Sequence, residues 1–156
     1  FEVLTAARQR IDRLDARLLL QYATGCSHTD LLARPETPVS APACAQFAEW
    51  VARRAAGEPL AYIVGEVEFR GRVFQVSPAV LIPRPETEVL IDLALEKLAG
   101  LANPKILDLG TGSGIVAISL ALKCPRAAVV AVDLSPEAIS VARNNAGLGA
   151  GGVAAR

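Results

Sequence analysis

The chain has 156 residues, 52% of them apolar and 21% charged, with 16 basic and 16 acidic side chains that cancel. That composition supports a buried core and excludes a disordered chain. The zero balance removes any global electrostatic case for direct nucleic-acid or membrane-surface binding. No apolar run approaches the ~20 residues needed to span a bilayer. The opening Phe1-Glu2-Val3-Leu4 has no basic stretch before an apolar one, so neither a membrane anchor nor a signal peptide is expected. Cys26, Cys44 and Cys124 are odd in number and far apart. They fit small buried hydrophobes in a reducing cytoplasm better than a disulfide frame or a metal site.

In chain order, residues 5–23 predict one amphipathic helix, with Ala7, Ile11, Leu14, Leu18 and Tyr22 on its inward stripe and Gly25 as its stop. Its arginines, Arg8, Arg10, Arg13 and Arg17, are interleaved with Asp12 and Asp15. They fit a solvated face better than a dedicated partner surface. A short helix is expected from Asp30 to Ala33, closed by Pro35 and Pro38. A third, with Ser40 as cap, starts near Pro42 and runs to Ala56, with Cys44, Phe47, Ala48, Val51 and Ala55 inward. His28, the only histidine, sits near a loop and has no partner for chemistry in the sequence.

From Gly57 the texture changes. Glu66–Phe69 and Arg72–Val76 alternate around Gly71 and predict a hairpin. Pro83 and Pro85 flank Arg84 and hold it on an extended loop. A helix follows from near Pro85 to about Leu98, with Leu90, Ile91, Ala94, Leu95 and Leu98 inward. Lys105–Leu109 is a strand, Ser113–Lys123 a helix and Ala128–Val132 a second strand. Both strands are almost entirely apolar, as expected when helices cover both faces. Ser135-Pro136-Glu137 opens another helix, which runs out at Asn144-Asn145-Ala146. The tail 147–156 has no clear period.

The chemistry concentrates at Gly110-Thr111-Gly112-Ser113-Gly114, between the first of these strands and its helix, and at Asp133, at the tip of the second. Glycine removes the side chains that would block a ligand and permits positive φ. Thr111 and Ser113 offer hydroxyls, and Ser113 is also a candidate helix cap. Asp133 lies 19 residues after Gly114, near the ~20 typical of nucleoside-binding folds, and can accept both hydroxyls of a ribose. The third glycine comes one residue earlier than a dinucleotide fingerprint requires, which argues against that ligand class. Asp108 either orients the turn or meets a ligand's amino group. The polar run Arg84-Pro85-Glu86-Thr87-Glu88 has two readings. It either walls a ligand or substrate, or simply loads a first helical turn with carboxylates, where they are favoured anyway.

Taken together, Gly57-Glu58-Pro59-Leu60-Ala61-Tyr62-Ile63-Val64-Gly65, Glu68-Phe69, Leu81-Ile82-Pro83-Arg84-Pro85-Glu86-Thr87-Glu88 and Asp108–Gly114 resemble the HemK/PrmC family. Those enzymes are protein-(glutamine-N5) methyltransferases that modify the Gly-Gly-Gln motif of peptide-chain release factors. The resemblance implies an α/β chain: a small N-terminal helical bundle, then the start of a Rossmann-like class I methyltransferase domain. It implies a substrate-binding region over 1–56, a hairpin linker over 57–84 and the methyltransferase portion over 85–156. It also implies S-adenosyl-L-methionine as cofactor, held by Gly110, Thr111, Gly112, Ser113, Gly114 and Asp133. Arg84, Glu86, Thr87 and Glu88 become substrate-side or cofactor-wall candidates, and the run from Arg84 looks like the release-factor branch. No metal is implied, and a cytoplasmic monomer with release factors as partners is expected.

The family's Asn-Pro-Pro-Tyr signature does not occur in this sequence, so no catalytic residue is assigned, and only two strands of the expected sheet are read here. The expectation is that the polypeptide continues. Two rivals remain: an amino-methyltransferase of the same fold acting on nucleic acid, and a non-catalytic truncated module that binds a partner through its helices.

Overall fold

A computed structural model describes residues 2–33, 38–147 and 153–155. The chain divides into two compact units, 1–64 and 65–156.

The first unit is all helical: α1 (Glu2–Ala7), α2 (Arg13–Thr24), α3 (His28–Ala33), α4 (Ala41–Ala55) and α5 (Leu60–Val64). The single helix expected over 5–23 is broken in two. Asp12 accepts the Leu14 N–H at 2.7 Å and becomes the N-cap of α2, satisfying a donor that a new helix start would leave bare. The break also resets the phase of burial. Ala16, Leu19 and Leu20 form the inward stripe, whereas Leu14 and Tyr22, expected inside, are exposed. Helix α4 starts as expected, with Ser40 accepting the Ala43 N–H at 3.4 Å. Leu4, Ala7, Leu19, Leu20, Phe47, Val51 and Ile63 share one core. Arg54 of α4 pairs with Asp15 of α2 at 2.6 Å. Helix α5, only five residues long, gave no periodic signal. The stop assigned to Pro35 lies outside the described residues.

The second unit opens with the predicted hairpin, β1 (Glu66–Phe69) and β2 (Arg72–Gln75), paired antiparallel with Phe69 opposite Arg72. Both turn residues have positive φ, 51° at Arg70 and 74° at Gly71. This is the left-handed pair that matches strand twist in a two-residue turn. Phe69 and Phe74 meet edge to face, 6.4 Å between ring centroids, an arrangement worth about 0.5–1.5 kcal/mol beyond area burial. They pack with Ile91, Ile115, Ile118 and Leu120, so the hairpin shares a core with α6 (Pro85–Leu98) and α7 (Ile115–Lys123). On α6, Ile91 is fully buried, but Leu90, expected inside, faces solvent.

Strands β3 (Lys105–Leu109), β4 (Ala128–Val132) and β5 (Val153–Ala155) form a parallel sheet in the order β3-β4-β5. Lys105 lies opposite Ala128, and Val129 opposite Val153. The third strand was not foreseen. Three residues in an alanine-rich tail carry no alternation, and only pairing with β4 defines them as a strand. Helix α8 (Pro136–Gly147) and α7 contribute Ala142 and Ala117 to a core beneath β4. The expectation that helices cover both sheet faces fails among the described residues. Leu107 is 59% and Leu109 72% exposed, with Val130 beside them also open.

Candidate functional site

Strand β3 delivers Asp108 and then Gly110-Thr111-Gly112-Ser113-Gly114, while β4 delivers Asp133. Parallel pairing places Leu109 opposite Val132, so the turn and the acid emerge at the same carboxyl-terminal sheet edge. In open α/β sheets, that edge is where ligands bind. The turn is tied across this edge by backbone bonds. The Gly110 and Thr111 N–H groups donate to the Val132 carbonyl at 2.8 and 3.0 Å, and Gly114 N–H donates to the Thr111 carbonyl at 2.8 Å. Thr111 Oγ1 donates to Asp108 Oδ2 at 2.7 Å. Of the two roles open to Asp108, this contact realises the orienting one.

The glycines serve two purposes. Gly110, Gly112 and Gly114 have φ of 72°, 54° and 79°. A methyl group at Gly110 would meet nothing within 4 Å, and one at Gly112 would only graze Val80 at 4.0 Å. There the backbone borders open space. At Gly114 a methyl group would sit 3.1 Å from Ala142 Cβ and Ile118 Cδ1, so that glycine lets α8 and α7 pack closely. Gly114, rather than Ser113, is the N-cap of α7 and makes no side-chain cap bond. The cap role considered for Ser113 is therefore corrected: α7 starts two residues later than expected, because the left-handed glycine must precede its first turn.

Asp133 closes onto the turn. Its Oδ2 accepts the Gly112 N–H at 2.8 Å, and its Oδ1 accepts the Ser135 N–H at 3.0 Å. These backbone donors, Ser135 first and Gly112 second, hold its carboxyl below the usual aspartate range. The group is thus an anion at neutral pH. A carboxylate has about four acceptor positions, more than its backbone donors occupy, so capacity remains for a ligand's hydroxyls. Leu134, next in sequence, is wholly exposed. Open glycine backbone, an anionic acceptor and an apolar neighbour together suit a polar, sugar-bearing ligand with a flat apolar portion.

The structure thus brings Asp108, the five-residue turn and Asp133 together. Arg84, Glu86, Thr87 and Glu88 lie at the start of α6. Arg84 caps α6 through extended backbone and makes no side-chain cap bond, while Thr87 N–H donates to its carbonyl at 2.9 Å. Arg84, Glu86 and Glu88 are exposed and Thr87 is half-buried. Among the described residues, no hydrogen bond or ion pair joins these four to the turn. The hairpin tip is anchored nearby: Arg70 Nη2 pairs with Asp92 at 2.7 Å, and Arg70 Nη1 donates to the Glu88 carbonyl at 3.4 Å. The three cysteines are free and half-buried, and the described residues hold no cluster suited to a metal. No described helix is long and apolar enough to cross a membrane. Sequence reasoning missed Leu134. A leucine after an acid carries no pattern of its own.

Comparison with known proteins identifies relatives of both parts of the chain. Residues 1–65 match the PrmC N-terminal domain, and residues 86–151 match the ribosomal protein L11 methyltransferase (PrmA) family. The release factor glutamine methyltransferase of Burkholderia pseudomallei is 51% identical over 136 residues, covering 87% of this chain and 48% of that protein. Its counterpart in Bordetella pertussis is 49% identical over the same share of this chain and 50% of its own length. That of Koribacter versatilis is 49% identical over 92% of this chain and 51% of its own. The chain therefore spans about half the length of the curated relatives it matches. With a PrmC N-terminal domain preceding a methyltransferase-type strand, glycine turn and acid, the chain belongs to the HemK/PrmC family.

Proposed function

We propose that the turn Gly110–Gly114 and Asp133 hold S-adenosyl-L-methionine. The protein that carries this chain then transfers its methyl group to the side-chain amide N5 of the glutamine in the Gly-Gly-Gln motif of peptide-chain release factors. The observation that carries this reading is the Gly112–Asp133 contact, which joins the open glycine backbone and the anionic acceptor in one place. The residues fit the cofactor. Asp133 has acceptor capacity for the ribose diol, Gly110 and Gly112 leave room for the ligand, and exposed Leu134 offers an apolar surface to the purine. Asp108 keeps Thr111 and the turn in place. S-adenosyl-L-methionine, when bound, supplies an electrophilic methyl group.

The accepting amide is a poor nucleophile because its lone pair is delocalised into the carbonyl. The protein's task is therefore orientation and exclusion of water. The functional division proposed is a protein-substrate region over 1–56, a joining segment over 57–84 and the cofactor portion over 85–156. Arg84, Glu86, Thr87 and Glu88 are proposed to face the substrate or wall the cofactor. A soluble cytoplasmic monomer fits this role.

The test uses the protein at the length of its relatives, with radiolabelled S-adenosyl-L-methionine and a release factor. Label should appear on wild-type release factor and vanish when the Gly-Gly-Gln glutamine is replaced. Label on DNA or RNA instead would overturn the substrate. Failure to bind S-adenosylhomocysteine in calorimetry would overturn the cofactor.

A further inference from the structure

Asn145, near the end of α8, is 3% exposed and polar, and it belongs to no part of the site described so far. Both ends of its amide are engaged. Oδ1 accepts the Gln75 N–H at 2.7 Å, and Nδ2 donates to the Gln75 carbonyl at 3.0 Å and to the Ser113 carbonyl at 2.8 Å. One donor group thus faces two carbonyls and one acceptor faces an N–H. Rotating the amide by half a turn would set oxygen against oxygen, so the side chain has one satisfactory orientation. Toward β2 it imitates a neighbouring strand, exchanging both bonds with a single residue. Toward Ser113 it grips the peptide that leads into left-handed Gly114. Ala142, one helical turn earlier, touches the position where a Gly114 side chain would lie. One face of α8 therefore shapes the last part of the glycine turn, and the other end of the same helix starts beside Asp133.

We propose that Asn145 is a positioning residue for the cofactor site. It holds the Ser113–Gly114 peptide in its ligand-ready orientation and locks that peptide to the end of the hairpin. The proposal rests on the cofactor reading above. The buried, three-way satisfied amide acts as a rigid brace, since an unmet polar group in that position would be costly. Because both contacts with residue 75 are to backbone, the Gln75 side chain is irrelevant to the brace.

The experiment compares wild type, Asn145→Ala, Asn145→Ser, Gln75→Ala and Val129→Ala in the protein at family length, well below each variant's Tm. Val129 is buried at the opposite end of β4 from Asp133 and serves as a control for lost stability alone. Affinity for S-adenosylhomocysteine should fall about tenfold or more in the Asn145 variants, the loss expected from one misplaced polar contact. It should not change in Gln75→Ala or Val129→Ala. The KM for S-adenosyl-L-methionine should rise while the KM for the release factor stays put.

A second readout needs no ligand. Amide hydrogen exchange at Gly112 and Gly114 should speed up in the Asn145 variants and not in Val129→Ala. Unchanged affinity and exchange in Asn145→Ala or Asn145→Ser, or equal losses in Val129→Ala, would overturn the brace. Wild type that ignores S-adenosylhomocysteine would instead overturn the cofactor reading, while the exchange comparison would still decide the brace.

Discussion

The two units finish their cores differently. Among the described residues, twelve large hydrophobic side chains are exposed, and only Leu14 and Tyr22 belong to the helical unit. The other ten lie in the second unit, and Leu107, Leu109 and Val130 form an open apolar face on its sheet. The helical unit closes its apolar surface with its own five helices. The sheet unit covers one face with α7 and α8 and leaves the other uncovered. Half-covered parallel sheets are rare because their strands are apolar on both sides. The difference teaches that the first unit is matched to the chain in hand, whereas the second is matched to the longer proteins this chain resembles.

The sharpest way to break that comparison lies at the site. In the protein at family length, Asp133→Ala should reduce affinity for S-adenosylhomocysteine by at least about a hundredfold, the equivalent of losing two hydrogen bonds to a charged group. Calorimetry reads it, and retained affinity would remove the ribose role. Next in size, Leu19→Ala should destabilise the helical unit by about 2–5 kcal/mol, because Leu19 is fully buried in its closed core. Trp50, the only tryptophan, packs against that core, so urea unfolding followed by its fluorescence reports on this unit alone. Cofactor affinity should be untouched.

Leu107→Asp tests the open face. In the present chain it should change stability by no more than about 0.5 kcal/mol, as exposed substitutions do. In the protein at family length it should cost about 2 kcal/mol or more, as a charge placed in a covered apolar layer. Equal effects in both would mean the face stays bare. Asp12→Ala should cost about 1 kcal/mol by uncapping α2, again visible in Trp50 fluorescence.

The smallest effect concerns pH. Because the folded Asp133 carboxyl sits below its ordinary value, its contribution is fully present above the unfolded aspartate pKa of about 3.9 and is lost as pH falls through the lower folded value. The stability gap between wild type and Asp133→Asn should therefore be flat at neutral pH and shrink in acid. A gap that widened in acid would contradict the backbone-donor assignment.

Much of this was legible in the sequence, and the misses have physical reasons. Ser40, Pro85 and the Gly71 hairpin are local signals, and each acts within a few residues of itself. The break at Asp12 was hidden because a continuous apolar stripe can be drawn through it. Only the side-chain bond to Leu14 reveals a second helix start. Strand β5 exists only by pairing with β4, and Asn145 acquires its role from residues 70 and 32 positions away in the chain. For the run from Arg84 the residues alone leave two readings open and the resemblance favours a place in the site; the contacts seen there tie Arg70 to the Glu88 carbonyl and to Asp92.

The parallel pairing of β3 with β4 also bears on the order in which the protein is made. The pairing of β3 with β4 must wait for the intervening crossover helix α7, whereas every contact within the helical unit lies inside the first 64 residues made. A ribosome extruding the chain from its amino end releases the helical unit first, able to settle alone. In a protein of its relatives' length, the apolar sheet surface would then await cover from residues made later.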